Sequence, residues 1–271
     1  MTVYDSFLKD EKLADRRGLA QLSFAEQLRY WRRQLEGVSV LELPIDQSPS
    51  NSMTPITRYE FELPADVTIH ITQLSDLWGV SLLELTVAAF QIVLARYTDQ
   101  DDIAVITPAP GQSHPVVLRS RVTDSTSFLD FAVEVRATVG AAFAHSDVPF
   151  EFLVEELGLG SELAGAAVVC QHGAAPLTAD ITVRLGERGN ELSGAVEYHP
   201  EKFGCATIER MCGHLTHVFD VVTADPAITL GEIDFLTEAE RRQVLVAWNS
   251  TDRVVSQTTL SGLLQVQVGR A

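Results

Sequence analysis

Basic residues are scarce in this chain. Its 271 residues carry 20 Lys and Arg against 37 Asp and Glu, a formal charge of −17. Such a field repels phosphate backbones and argues against a nucleic-acid partner. It also repels acidic proteins unless a local basic patch offsets it. Cysteine is scarce too, with only Cys170, Cys205 and Cys212. The last two stand seven apart in a segment with helical patterning, about 10 Å along the axis and beyond disulfide reach. So sparse and odd a set suits a reducing compartment, and a cytoplasmic location is expected. The first residues, MTVYDSFLKDEKLADRR, hold no apolar signal core. The longest apolar stretch, Leu82 to Tyr97, is interrupted by Glu84, Gln91 and Arg96. It falls short of the ~20 residues a membrane span needs, so it reads as a buried core helix and no membrane partner is expected. No two histidines are adjacent, and no G-x-S-x-G, P-loop or dinucleotide fingerprint is present.

What is present is a mixed pattern. Hydrophobic residues make up 46% of the chain, enough for a sizeable core. Ser23 to Leu35 reads as a helix, with Ser23 and Glu26 three apart as a capping box. Asp46 to Pro55 is rich in Ser, Pro and Asn and reads as a loop. From Thr57 to Leu63, apolar and charged residues alternate, as in a half-buried strand. Pro64 opens a helix that sets Val67, Ile71, Leu74 and Trp78 on one face, and Gly79 ends it. Ser81 caps the next helix, which is apolar nearly all round.

Ile103 to Thr107 suits an interior strand, and Val116 to Val122 suits another. Phe128, Phe131, Val135, Val139 and Ala142 mark a long helix; Pro149 starts a shorter one. Ala179 to Tyr198 reads as a hairpin turning at GERGN. A helix follows, with Ile208, Met211, Cys212, Leu215, Phe219 and Val222 on one stripe, and Glu238 to Trp248 is a last helix. Strands and helices alternating throughout predict an α/β chain, an α+β two-layer sandwich with a mixed sheet flanked by helices.

Several segments carry a resemblance. FAEQLRYWRRQLEG, with Tyr30 and Trp31, is one. GVSLLELTVAAFQIVLARYTDQDDIAVITP, with Arg96, Tyr97, Asp101 and Asp102, is the strongest. FAHSDVPFE follows, with His145, Asp147, Pro149, Phe150 and Glu151, and with Ser146 where a Gln is usual. DITV at Asp180, EYHPEKF, LTEAERRQVLVAWNST with Trp248 and Asn249, and TTLSGLLQVQVGRA complete the set. Together they resemble the condensation domains of nonribosomal peptide synthetases, which join two carrier-bound aminoacyl groups through an HHxxxDG motif.

The resemblance implies a chloramphenicol-acetyltransferase-like architecture of two lobes, of which only the C-terminal lobe is represented. It divides the chain into an N-terminal extension (1–21), the truncated lobe (22–248) and a linker toward an adenylation domain (249–271). HHxxxDG is not found. The family's G-x-F-V-N-T motif should lie between ITP and VVLRSRV, where only Ala109 to Pro115 stand. The RD-x-S-R-N-P-L motif is replaced by ELAGAAVVCQ, and a short stretch joins Gln171 to Asp180. In the family, segments at these places cross to the other lobe.

Four groups are candidates for chemistry. His145, with Asp147 and Glu151, is a substitute base; the structural alternative is a helix end with Asp147 capping the next helix. Asp99, Asp101 and Asp102 are carboxylates of the kind that bind hard cations, yet they match no calcium loop and read as a solvated turn. Cys205, Cys212, His214 and His217 are soft ligands, but all lie on one helix, with His214 and His217 on the polar face opposite the Cys212 stripe. Arg119 and Arg121 alternate on a strand, either as a phosphopantetheine phosphate site or as exposed strand charges. Trp31 and Trp78 read as core or lobe-surface residues. No catalytic residue, cofactor or metal is expected.

The resulting expectation is a noncatalytic condensation-like platform beside an adenylation domain of the same synthetase. The alternatives are an enzyme completed by a separate N-terminal lobe, and a module that recruits a carrier domain or tailoring enzyme. Self-association of two lobes is a further, weaker idea.

Overall fold

The computed structural model describes residues 23–46, 55–160, 163, 165–170, 177–188, 191–235 and 240–241. Helix α1 (Phe24–Gln34) starts where Ser23 accepts from the Glu26 amide while the Glu26 carboxylate receives the Ser23 amide. Strand β1 (Thr57–Glu62) is half-buried at Tyr59 and Phe61 and exposed at its charged residues. Helix α2 (Ala65–Trp78) ends at Gly79, whose φ of 60° places it in the left-handed region that glycine enters without steric cost. Helix α3 (Leu82–Thr98) repeats the capping box with Ser81 and Glu84.

Leu85 to Ala95 is an unbroken run of buried residues, as its all-round apolar character predicts. Within that run Gln91 is fully buried. Its amide donates to the carbonyls of Ile103 (3.1 Å) and Leu118 (3.2 Å), fastening the helix to two strands. A buried amide donor has to find such acceptors, because leaving it unpaired costs about 1–3 kcal/mol.

Strands β2 (Asp102–Pro108) and β3 (Pro115–Arg121) form an antiparallel hairpin. Helices α4 (Phe128–Ala144) and α5 (Phe150–Glu156) follow, then β4 (Ala166–Val169), β5 (Ile181–Arg188), β6 (Glu191–Tyr198) and helix α6 (Cys205–Ala224). The six strands make one mixed sheet in the order β1-β6-β5-β4-β2-β3. β4 runs parallel to both β2 and β5, and the other pairings are antiparallel. The helical layer lies over this sheet: α3 on β2 and β4, α4 on β3, α6 on β1, α2 on β6. Its core includes Phe90, Phe128, Phe131, Phe203 and Phe219, each no more than 1% exposed. This is the two-layer α/β arrangement that the patterning predicts. Among the described residues, no single helix is long and apolar enough to cross a membrane.

Three expectations are corrected. The hairpin turn is tighter than GERGN: β5 continues through Gly186, Glu187 and Arg188, with Arg188 paired to Glu191. Asp147 does not cap α5, whose N-cap is Pro149 without a side-chain bond. His214 does not share a polar face with His217; it is 9% exposed and turned into the interior. The expected loop from Asp46 to Pro55 is described only at its two ends. Of the expected last helix, only Glu240 and Arg241 lie among the described residues, and both are helical. Trp248 and Asn249 lie outside them.

Candidate functional site

The segment before and into β2 places its residues in two directions. At the end of α3, Arg96 donates to the carbonyl of Leu230 (2.8 Å), pairs with Asp124 (3.1 Å) and lies over the Phe235 ring. The Tyr97 hydroxyl is 2.9 Å from His214 Nδ1, and the His214 ring stands edge-on to both Tyr97 and Phe235. Two residues on, Asp99 takes a left-handed conformation (φ 55°) and turns the chain toward the sheet. Asp101 then faces Arg121 at 3.6 Å.

Asp102 does not belong to a solvated turn. Its carboxylate receives Arg119 through Nε (2.8 Å) and Nη2 (2.6 Å), with the two side chains only 13% and 17% exposed. The hydrogen bonds to Asp102 push the Arg119 pKa up further. Arg119 is therefore neither a phosphate site nor an exposed strand charge. Its remaining donors go to the carbonyls of Gln34, Glu36 and Gly37, which fixes the end of α1 beside β3.

A second cluster joins α1 to the α4–α5 junction. Trp31 is fully buried and donates Nε1–H to the carbonyl of His145 (2.8 Å). The His145 ring stacks on Tyr30, with centroids 4.0 Å apart and planes at 13°. Burial raises the Tyr30 phenol to about 12. His145 Nδ1 lies 2.7 Å from the carbonyl of Ala141. A carbonyl only accepts, so this nitrogen carries the proton. Asp147 receives Gln27 Nε2 (2.8 Å) on one oxygen and Gln112 Nε2 (3.0 Å) on the other, and its backbone amide donates to Gln27 Oε1 (3.1 Å). Glu151 is exposed in the first turn of α5, and Phe150 packs partly buried against the core. No hydrogen bond joins the carboxylates of Asp147 or Glu151 to the His145 ring among the described residues. These groups are positioned as a structural junction and form no acid–base pair.

The remaining candidates also disperse. Cys205 is exposed and Cys212 lies in the buried stripe of α6. His217 Nε2 is 2.9 Å from the carbonyl of Asp234. Asp180 pairs with Lys202 at 2.6 Å, where β5 begins. Gln27 and Gln112, which hold the Asp147 cluster together, and Gln100 carry no motif in the sequence. Gln100 brackets the segment after α1, donating to the Val40 carbonyl and accepting from the Glu42 amide. One signal existed: Gln27 sits on the same stripe of α1 as Phe24 and Trp31, and a polar residue there needs a distant partner.

A family model for the condensation domain matches residues 11–172, more than half of the chain. The chain belongs to the condensation domain family. It is 30% identical to a linear gramicidin synthase of Brevibacillus parabrevis over 285 residues, covering 90% of this chain and 6% of that protein. The chondramide synthase of Chondromyces crocatus is 31% identical over 260 residues, covering 83% and 7%. The chain thus spans a small fraction of the curated relatives it matches. Among solved structures, the X-domain from teicoplanin biosynthesis superposes with a TM-score of 0.72 at 22% identity, covering 87% of this chain and 62% of that one. The first condensation domain of the calcium-dependent antibiotic synthetase gives 0.69 at 20% identity, covering 83% and 56%. These structures share the fold of a condensation domain with mixed sheet and flanking helices.

Proposed function

We propose that this chain acts as a noncatalytic condensation-like lobe of a nonribosomal peptide synthetase, a packing platform ahead of an adenylation domain in peptide natural-product biosynthesis. The lobe spans residues 22–248 in this reading and the linker 249–271. The observation that carries it is the closed β2–β3 hairpin. The ladder is unbroken to the Pro108–Pro115 pair, and the chain reverses within Ala109–His114. Gly111 sits at a φ of 76°, and the Gln112 amide returns to the Ala109 carbonyl. The Gln112 side chain is then spent on Asp147. In the resemblance, an arm crosses to the catalytic lobe from this place. Here the backbone closes on itself, and the nearby imidazole serves as a structural prop.

Two measurements test the reading. The purified chain, given two carrier-tethered aminoacyl thioesters, forms no amide product. Deleting residues 1–248 from a synthetase that carries this lobe lowers the soluble yield or the adenylation rate. Amide formation by the chain alone, or unchanged yield and rate after the deletion, overturns it.

A second reading is recruitment of a tailoring protein or carrier domain. It is favoured by the fold shared with the X-domain from teicoplanin biosynthesis, also solved as a complex with OxyB, at a TM-score of 0.72 and 21% identity. Titration calorimetry of the chain against carrier domains and tailoring enzymes separates the two: binding supports recruitment, and its absence leaves the platform.

A further inference from the structure

The two edges of the sheet are treated differently. At one edge, β3 carries Pro115 and is covered by the end of α1: Gln34 Nε2 donates to the Arg119 carbonyl, and Arg119 holds three carbonyls of that segment. At the other edge, β1 pairs with β6 alone among the described residues. Its six residues hold no proline and no bulge in register. An open edge of this kind is a template for a further strand.

The direction of the free backbone groups follows from the ladder. The Leu63 amide donates to the Leu192 carbonyl, so hydrogen bonding to β6 falls on Leu63, Phe61, Tyr59 and Thr57. The amides and carbonyls of Arg58, Glu60 and Glu62 therefore point to the open side. An antiparallel partner has to pair these residues. For a second copy of β1, centring the two-fold on Tyr59 sets each Arg58 opposite the partner's Glu60. Centring it on Glu60 sets Arg58 opposite the partner's Glu62 but brings Glu60 against its own copy, and centring it on Arg58 or on Phe61 sets like charges opposite each other, which is unfavourable. Arg58 and Glu60 lie side by side on one face, 3.3 Å apart and 53% and 74% exposed. A two-fold copy interleaves them into a ring of four alternating charges. Tyr59 meets its counterpart on the opposite face.

We infer that β1 is a self-complementary edge through which two copies of this chain pair antiparallel about Tyr59, extending the sheet across both. Charged side chains usually protect an edge from pairing. Here the outward residues read Arg58, Glu60, Glu62, and the register about Tyr59 pairs opposite charges without setting a like pair opposite. This inference stands apart from the platform reading and does not depend on it.

Sedimentation equilibrium of the whole chain in ~0.15 M salt, where the Debye length is about 8 Å and the overall negative charge is screened, is the test. The expected mass rises with concentration to twice the 29.7 kDa of one chain. Arg58→Glu alone weakens association about tenfold, as two attractive pairs become repulsive. The double variant R58E/E60R, and an equimolar mixture of R58E with E60R, recover it. Glu60→Pro removes an outward amide that the β6 ladder does not use; it abolishes association while the monomer keeps its circular dichroism and thermal midpoint. A mass of 29.7 kDa at every concentration overturns the inference. So does an association that survives Glu60→Pro, or one that Arg58→Glu leaves unchanged.

Discussion

Arg119 and Asp102 meet in a two-pronged ion pair, with Nε 2.8 Å and Nη2 2.6 Å from the two carboxylate oxygens, on the strand pair that borders α1. One guanidinium thereby ties the open end of the β2–β3 hairpin and holds the carbonyls of Gln34, Glu36 and Gly37 at and just after the end of α1. Arg119→Ala strands a carboxylate that is only 13% exposed. The expected loss of stability is about 3 kcal/mol, read as a lower urea midpoint with unchanged slope. Arg119→Lys recovers less than half of it, because a point charge cannot bridge both the carboxylate and the carbonyl fan. A loss below about 0.5 kcal/mol, the scale of exposed pairs, would show that solvent screens the pair.

Trp31 and His145 form the second fastening, across 114 residues of sequence. Trp31→Phe keeps an aromatic ring but orphans the His145 carbonyl. It should cost about 1–2 kcal/mol, and Trp31→Ala about 3–5 kcal/mol through the cavity it leaves. His145→Ala removes the stacked ring while keeping the carbonyl. The Trp31→Phe penalty should therefore persist in the double variant. A double-variant cost equal to that of His145→Ala alone would place the effect in the ring.

These fastenings mark where sequence reasoning reached and where it stopped. The caps at Ser23 and Ser81, the alternation along β1, and the all-round burial of α3 depend on neighbours within a few residues, so they are legible. Arg119 looked exposed because alternation on an edge strand says nothing about a helix end 85 residues earlier. His214 falls on the polar side of the α6 wheel, but Tyr97 and Phe235, distant in sequence, cover that side. Asp147 resembled a cap because Pro149 follows it; Gln27 and Gln112 take its two oxygens instead. The parallel placement of β4 between β2 and β5 is likewise a long-range fact, set by pairing across the chain.

Phe61 and Gly194 face each other across β1 and β6. A Cβ on Gly194 would come within 2.2 Å of the Phe61 ring, so the glycine is required by close approach. Phe61 is half-buried near the edge and can swing outward, at the expense of its packing on the core. Gly194→Ala should therefore cost about 1–3 kcal/mol, the range of an overpacked site. In a Phe61→Ala background the same substitution should be nearly neutral. Equal costs in both backgrounds would assign the effect to the backbone of β6.

The thiols separate by burial, and this sets an alkaline limit on the fold. Burial first, then Cys205 and Glu209, raises Cys212 from 9.0 to about 12. Burial also raises Cys170 to about 11, its thiol turned onto the Thr86 hydroxyl at 3.6 Å. The thiolate is the reactive form. At about pH 8, iodoacetamide should thus alkylate the exposed Cys205 fastest in the native chain and reach the buried Cys212 only after unfolding. The linkage sign follows from the upward shift. Above pH 9 the unfolded chain releases the Cys212 proton while the folded chain keeps it. The stabilisation is complete below pH 9 and declines as pH rises toward 12, by up to about 1.4 kcal/mol per pH unit for one proton. Cys212→Ala should flatten that part of the stability profile. A native Cys212 that alkylates as fast as Cys205, or a profile indifferent to the substitution, would contradict the burial of the α6 stripe.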